Sequence, residues 1–126
     1  MAVGPYWNTE GRDAVNYTAQ GAIGKHLLVK FGTADKAVTL AVAATDKIIG
    51  CTSDIDAADG EPCDVFRHKI ARVIYGAAVT KGDALTANAA GRAVPTVTPL
   101  DRAIGIAEIT GIAGDIGSVA IFPTIV

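Results

Sequence analysis

The chain has little of what enzymes are built with. Its 126 residues include two histidines, His26 and His68, two cysteines, Cys51 and Cys63, and two serines, Ser53 and Ser118. No GxSxG elbow is present, and the two histidines read as strand-borne surface residues, which argues against a Ser–His–Asp system. Cys51, Cys63 and His68 form the one mixed set of soft ligands, and their spacing fits no zinc ribbon or finger. Gly21-Ala22-Ile23-Gly24-Lys25 lacks the spacing of a phosphate loop and no helix pattern follows it. Charged residues are also sparse, at 19% with a net charge of −2. Lys25 and Lys30 flank one candidate strand and Arg67, Lys69 and Arg72 interrupt another, which gives no phosphate-tracking stripe and argues against nucleic-acid binding. No apolar run approaches the ~20 residues that cross a bilayer. The start, MAVGPYWNTEGRD, has neither the basic head nor the apolar core of a signal peptide, so a cytosolically made protein with free thiols is expected.

Small apolar residues and turn residues fill the space instead. Hydrophobic residues reach 50% and glycine numbers 14. No helical stripe of useful length is present. Alternation predicts strands over 25–31, 37–43, 47–51, 84–88, 92–97, 102–110 and 118–122, with Leu27, Val29 and Phe31 on one face of the first. The longest candidate is Cys63 to Tyr75, where neither face stays apolar throughout; a bulge or bend near Ile70 is expected. Asp54 to Pro62 reads as an acidic loop. It lacks the glycine and terminal glutamate of a calcium loop, so a solvated loop is the reading. Lys81-Gly82-Asp83 and Ala113-Gly114-Asp115 read as tight turns, with glycine at positive φ and aspartate bonding the nearby backbone. The pattern predicts an all-β fold, a compact barrel or sandwich of about eight short strands.

The second half faintly repeats the first. Asp46, Ile49 and Gly50 match Asp101, Ile104 and Gly105, and Lys36-Ala37-Val38 matches Arg92-Ala93-Val94 at nearly the same offset. Two loosely related units, 21–66 and 76–123, are expected within one β-domain over 21–126. Residues 1–20 stand apart as an extended N-terminal arm. It holds the tryptophan and two of the three tyrosines. Large aromatics anchor interfaces because they bury much area at small entropic cost. Pro5, Tyr6, Trp7, Asn8, Asn16 and Tyr17 are therefore the candidate interaction residues.

The turn-and-strand cadence resembles that of the capsid cement, or head decoration, proteins of tailed bacteriophages. Gly76, Val79, Gly82, Asp83, Leu85, Gly91, Val94, Ile104, Gly105, Ala107, Ala113, Gly114, Asp115, Val119 and Ile121 carry the likeness, over about 50 residues. The first copy departs from it at Lys25-His26-Leu27, where the Gly-Asp turn is gone. The resemblance implies a non-enzymatic protein without cofactors, made in the host bacterial cytoplasm and bound to the outer surface of the virion head. Its partners would be the major capsid protein at junctions between subunits, where it resists DNA pressure, and itself, as a homotrimer or a dimer. The other reading is a lipoyl-like or β-clip carrier module. Such a carrier presents a modifiable lysine next to methionine at a hairpin tip, whereas Lys81 has no methionine beside it and the chain's methionine is Met1. On the cement reading, deleting residues 1–18 lowers capsid occupancy.

Overall fold

A computed structural model of the chain describes residues 14–126. The fold is all-β, with ten strands in two sheets and no helix among the described residues. The first five are β1 (Ala14–Ala19), β2 (Leu28–Phe31), β3 (Ala37–Leu40), β4 (Ile48–Thr52) and β5 (Pro62–Phe66), which close into a barrel of order β1-β3-β2-β4-β5. The remaining five are β6 (Lys69–Ile74), β7 (Ala84–Ala87), β8 (Ala93–Pro95), β9 (Arg102–Ala107) and β10 (Ile116–Ile125), forming a sheet of order β6-β10-β9-β7-β8.

Read around the barrel from β1 through β5, the first order becomes β1-β5-β4-β2-β3, which is the order of the second sheet shifted by five strands. The loops follow suit. Ile23 and Ala57 form an isolated antiparallel bridge in unit 1 (β1–β5), and Val79 and Gly111 form one in unit 2 (β6–β10). Gly60 N–H bonds the Ala19 carbonyl and Gly114 N–H bonds that of Tyr75, both glycines having φ near +90° (+83° and +91°). Each Ile-Gly pair marks a register shift. Val29 pairs with Gly50 and Lys30 with Ile48, leaving Ile49 as the extra residue. Ile121 pairs with Gly105 and Thr124 with Ala103, so here the extra residue lies on β10, where Phe122 and Pro123 stand opposite Ile104.

The seams differ. Unit 1 is closed by the parallel pairing of Thr18 with Ala37 and Ala19 with Val38. In unit 2 a single parallel bridge, Tyr75 to Ala93, spans β6 and β8. The gap is occupied by unit 1: Ile74 N–H donates to the His26 carbonyl (2.9 Å) and Leu28 N–H donates to the Gly91 carbonyl (2.8 Å). The cores reflect this. One cluster, with Tyr17, Val29, Val38, Ile49 and Val65, fills the barrel; the other joins Val73, Tyr75, Leu85, Ile104 and Val119 of unit 2 to Leu28, Ile48 and Cys51 of unit 1. Strand β4 is buried along its whole length because each of its faces serves a different core.

Three expectations need correction. The strand predicted over 63–75 is two strands, β5 and β6, in different sheets. The break falls at Arg67-His68, followed by Lys69 at φ +68°, because Cys63 and Val65 face one core and Ala71 and Val73 the other. The strand predicted from Lys25 begins only at Leu28, since His26 turns at φ +56°, the place where unit 2 has Gly82 at +94°. The predicted boundary of the arm at residue 20 moves, because Ala14–Ala19 is β1, hydrogen-bonded on both sides.

Gly105 tests the close approach of β9 to β10. A Cβ there would overlap the Ala120 carbonyl oxygen across the strand pair, and its φ is +155°. Gly114 also has a positive φ but has open space around the missing Cβ. Gly105→Ala should therefore lower unfolding free energy by about 2–4 kcal/mol, and Gly114→Ala by only about 1 kcal/mol, in urea titrations.

Candidate functional site

The residues that could carry chemistry are kept apart. Cys51 lies in the inter-unit core and its thiol, pushed up to about 12 by burial, faces the Arg72 carbonyl at 3.5 Å. Cys63 lies in the barrel core, its thiol also raised, by burial and then by Asp64. Thiols in this state are poor nucleophiles and poor metal ligands. His68 is exposed in the crossover between units, whereas His26 is 7% exposed at their junction. Among the described residues no group of three His, Cys, Asp or Glu side chains converges.

The acidic loop is solvated as expected, and its exposed carboxylates also brace the backbone. Asp56 accepts the Lys25 N–H (2.9 Å) and Asp59 accepts the Gly21 N–H (2.8 Å), while Glu61 accepts the Ala58 N–H (2.8 Å). Asp115 does in unit 2 what Glu61 does in unit 1, accepting the Ile112 N–H at 3.0 Å. Asp83 accepts the Thr80 N–H at 2.9 Å within the Lys81-Gly82-Asp83 turn. Each carboxylate satisfies a backbone donor that a tight turn leaves unpaired.

The remaining candidate interaction residues are those of the arm and β1. Pro5, Tyr6, Trp7 and Asn8 lie outside the described residues. Of the other two candidate interaction residues, Asn16 is exposed on β1 and donates from Nδ2 to Asp64 Oδ1 (3.0 Å). Tyr17 is not available as a surface anchor: its ring is buried in the barrel core. Its hydroxyl accepts from Arg67 Nη1 (3.1 Å), and its ring meets Phe31 edge-on with centroids 6.2 Å apart. Arg67 lies over the Phe31 ring, 5.5 Å from its centroid, and Phe31 itself is 54% exposed. This cation–aromatic cluster was not legible in the sequence, because Tyr17 and Arg67 are 50 residues apart and meet only through the β1–β5 register. It stands beside the point where β1 begins, Ala14 pairing with Phe66. A second exposed apolar group, Val97, Leu100 and Ile125, gathers at the far edge of unit 2, where Leu100 N–H donates to the Val126 carbonyl (2.8 Å).

No family model matches the chain, and no curated protein matches it either. Among solved structures it is similar to the head fiber gp8.5 N base of bacteriophage phi29, with a TM-score of 0.69 over 86% of this chain and 92% of that one. The chain has the fold of a phage head-fiber base. The sequence identity is 20%, so the likeness resides in architecture. Coverage is nearly complete on both sides, so the match takes in most of this two-unit body.

His26 makes a pH test of the unit junction. Burial lowers its pKa below 6.5, Asp54 opposes this, and Arg72 and Lys25 add to it. A histidine whose folded-state pKa is depressed stabilises the fold above its unfolded pKa and withdraws that stability as pH falls through the folded value. Stability should thus be flat near pH 7 and decline below ~6.5. His26→Asn, which keeps a residue tolerant of positive φ, should remove that part of the decline in urea midpoints between pH 7 and 5. Asp46 leaves a separate signature. Burial works to raise its carboxyl, but the Val42 N–H and Lys30 outweigh it and lower the pKa, so its contribution is lost only below the ordinary carboxylate range.

Proposed function

We propose that the protein is a structural component of a phage head that binds the outer surface of the assembled shell at junctions between major capsid subunits and stabilises it against DNA pressure. The observation that carries this is the near-complete structural match to a phage head-fiber base. The turn motifs of the second unit, read against the cement proteins, support it from the sequence. The inventory of buried thiols and turn-bracing carboxylates favours a non-enzymatic role without a cofactor. The major capsid protein and further copies of the chain, as a homotrimer, are the partners in this reading. A shell protein works through many modest contacts repeated by symmetry, and multivalency turns these into tight attachment.

The arm enters as the part that reaches a neighbour. Its aromatic residues Tyr6 and Trp7 are suited to anchoring, and an extended segment can add main-chain bonds to a sheet edge. Removal of residues 1–18 would not test this, because it takes away most of β1 and the buried Tyr17. The informative cut ends at residue 13. Purified full-length protein should co-sediment with undecorated heads of its own phage and raise the temperature at which they release DNA. The chain lacking residues 1–13 should keep its melting temperature and bind at least about tenfold more weakly, the loss expected for one aromatic anchor. Heads that neither bind the full-length protein nor gain heat resistance would sink the reading.

A further inference from the structure

We propose that the end of the unit 1 barrel at which β1 begins is the resting dock of the segment 1–13, with Trp7 laid against Phe31 of the same chain. Three side chains mark that end. Val15 continues the inward row of Tyr17, Phe31 that of Val29, and Arg67 that of Cys63 and Val65, all four of which lie in the barrel core. The registers make Val15, Phe31 and Arg67 equivalent to Ala71, Ala87 and Ile121 of unit 2. Burial separates the two sets. Ala71, Ala87 and Ile121 are buried in the core that joins the units. Val15 is 37% exposed and Phe31 54%, and Arg67 is half-buried. Unit 1 therefore shows larger apolar groups to water at the end that unit 2 keeps covered.

Chain connectivity says what belongs there. In unit 2 the cover includes Ile48 and Cys51, which come from the chain preceding its first strand, β6. In unit 1 the chain preceding the first strand is residues 1–13, which carry the protein's tryptophan, Trp7. That segment joins the barrel at the same end. Ala14 pairs with Phe66, and the next residue, Arg67, lies over the Phe31 ring at 5.5 Å. Seven residues lead from Trp7 to Ala14, a span of up to about 23 Å, so the indole can turn back to Phe31 without stretching the chain. Phe31 also lines a cleft of about 350 Å³ with Lys30, Thr45, Asp46 and Lys47. A cleft at the lower end of the pocket range suits one large side chain, and an offset or edge-on ring pair suits Phe31. The backbone is ready as well. The ladder between β1 and β3 starts at Thr18, so among the described residues the first part of β1 is paired through β5 alone. Its other edge offers main-chain groups to an extended segment. A short tether holds the segment at an effective concentration in the mM range, which favours its own barrel over that of another copy.

The inference concerns the free protein and goes beyond the reading above, in which the arm reaches a neighbour on the shell. Head binding is not its readout, so either can fail alone. A local contact of this kind opens below the global transition, so the melting temperature does not depend on it. Trp7 is the chain's tryptophan, so acrylamide quenching of its emission reports the segment directly. With the segment docked about 90% of the time, quenching in native full-length protein should be at least about threefold weaker than in urea-unfolded chain. Phe31→Lys should restore the unfolded level, and the milder Arg67→Ala should move it the same way, both at unchanged melting temperature. Val97→Lys, at a site 91% exposed on the far edge of unit 2, should quench like wild type. Wild-type Trp7 quenched as in urea overturns the proposal, as does protection that is equal in wild type and both folded variants. Protection that fades on dilution assigns the dock to the segment of a second copy and overturns it too. Protection that survives dilution and is lost in the two variants supports it.

Discussion

The packing of unit 1 into the open side of unit 2 is the contact on which the rest depends. Unit 2 has a one-bridge seam, and its core is completed by Leu28, Ile48 and Cys51 from the other unit. Each such side chain contributes roughly 1.5–3 kcal/mol on burial, so together they match a large part of a small domain's net stability. The two backbone bonds at the seam, from Ile74 to His26 and from Leu28 to Gly91, satisfy groups that an incomplete barrel would leave buried and unpaired. Two units with one strand order therefore make one body with a shared core. The shared wall, β4, is the place where the sequence is least amphipathic and the structure most buried.

The all-β class, the turns and the repeated Ile-Gly were readable because they are local. Glycine at positive φ in the Lys81-Gly82-Asp83 and Ala113-Gly114-Asp115 turns and alternation in the hairpins depend on neighbours in the chain. The segment from 63 to 75 misled for a physical reason. Its apolar residues serve two cores on either side of a crossover, so their parities combine into what looks like one bent strand. The arm misled in a similar way. β1 has an exposed Val15 and Asn16 next to a buried Tyr17, a weak alternation that only closure against β3 and β5 makes into a strand. Phe31, Tyr17 and Arg67 come together through that closure, and no spacing in the sequence records it.

The few charges are spent largely on geometry. Carboxylates at Asp56, Asp59, Glu61, Asp83 and Asp115 hold loop amides, and Asp46 both accepts the Val42 N–H and pairs with Lys30 at 3.1 Å. Such short-range bonds set the loops of each unit firmly in place while adding little long-range field.

The wedge formed by His26 and Leu28 gives the molecule a direction. All five strands of the first barrel lie within residues 14–66, so it can close while the remainder of the chain is still being synthesised. The second sheet cannot complete its core without a finished surface to close upon, and by the time β6 emerges that surface exists. The N-terminal half thus acts as a built-in mould for its own duplicate, and the order of translation matches the order of dependence.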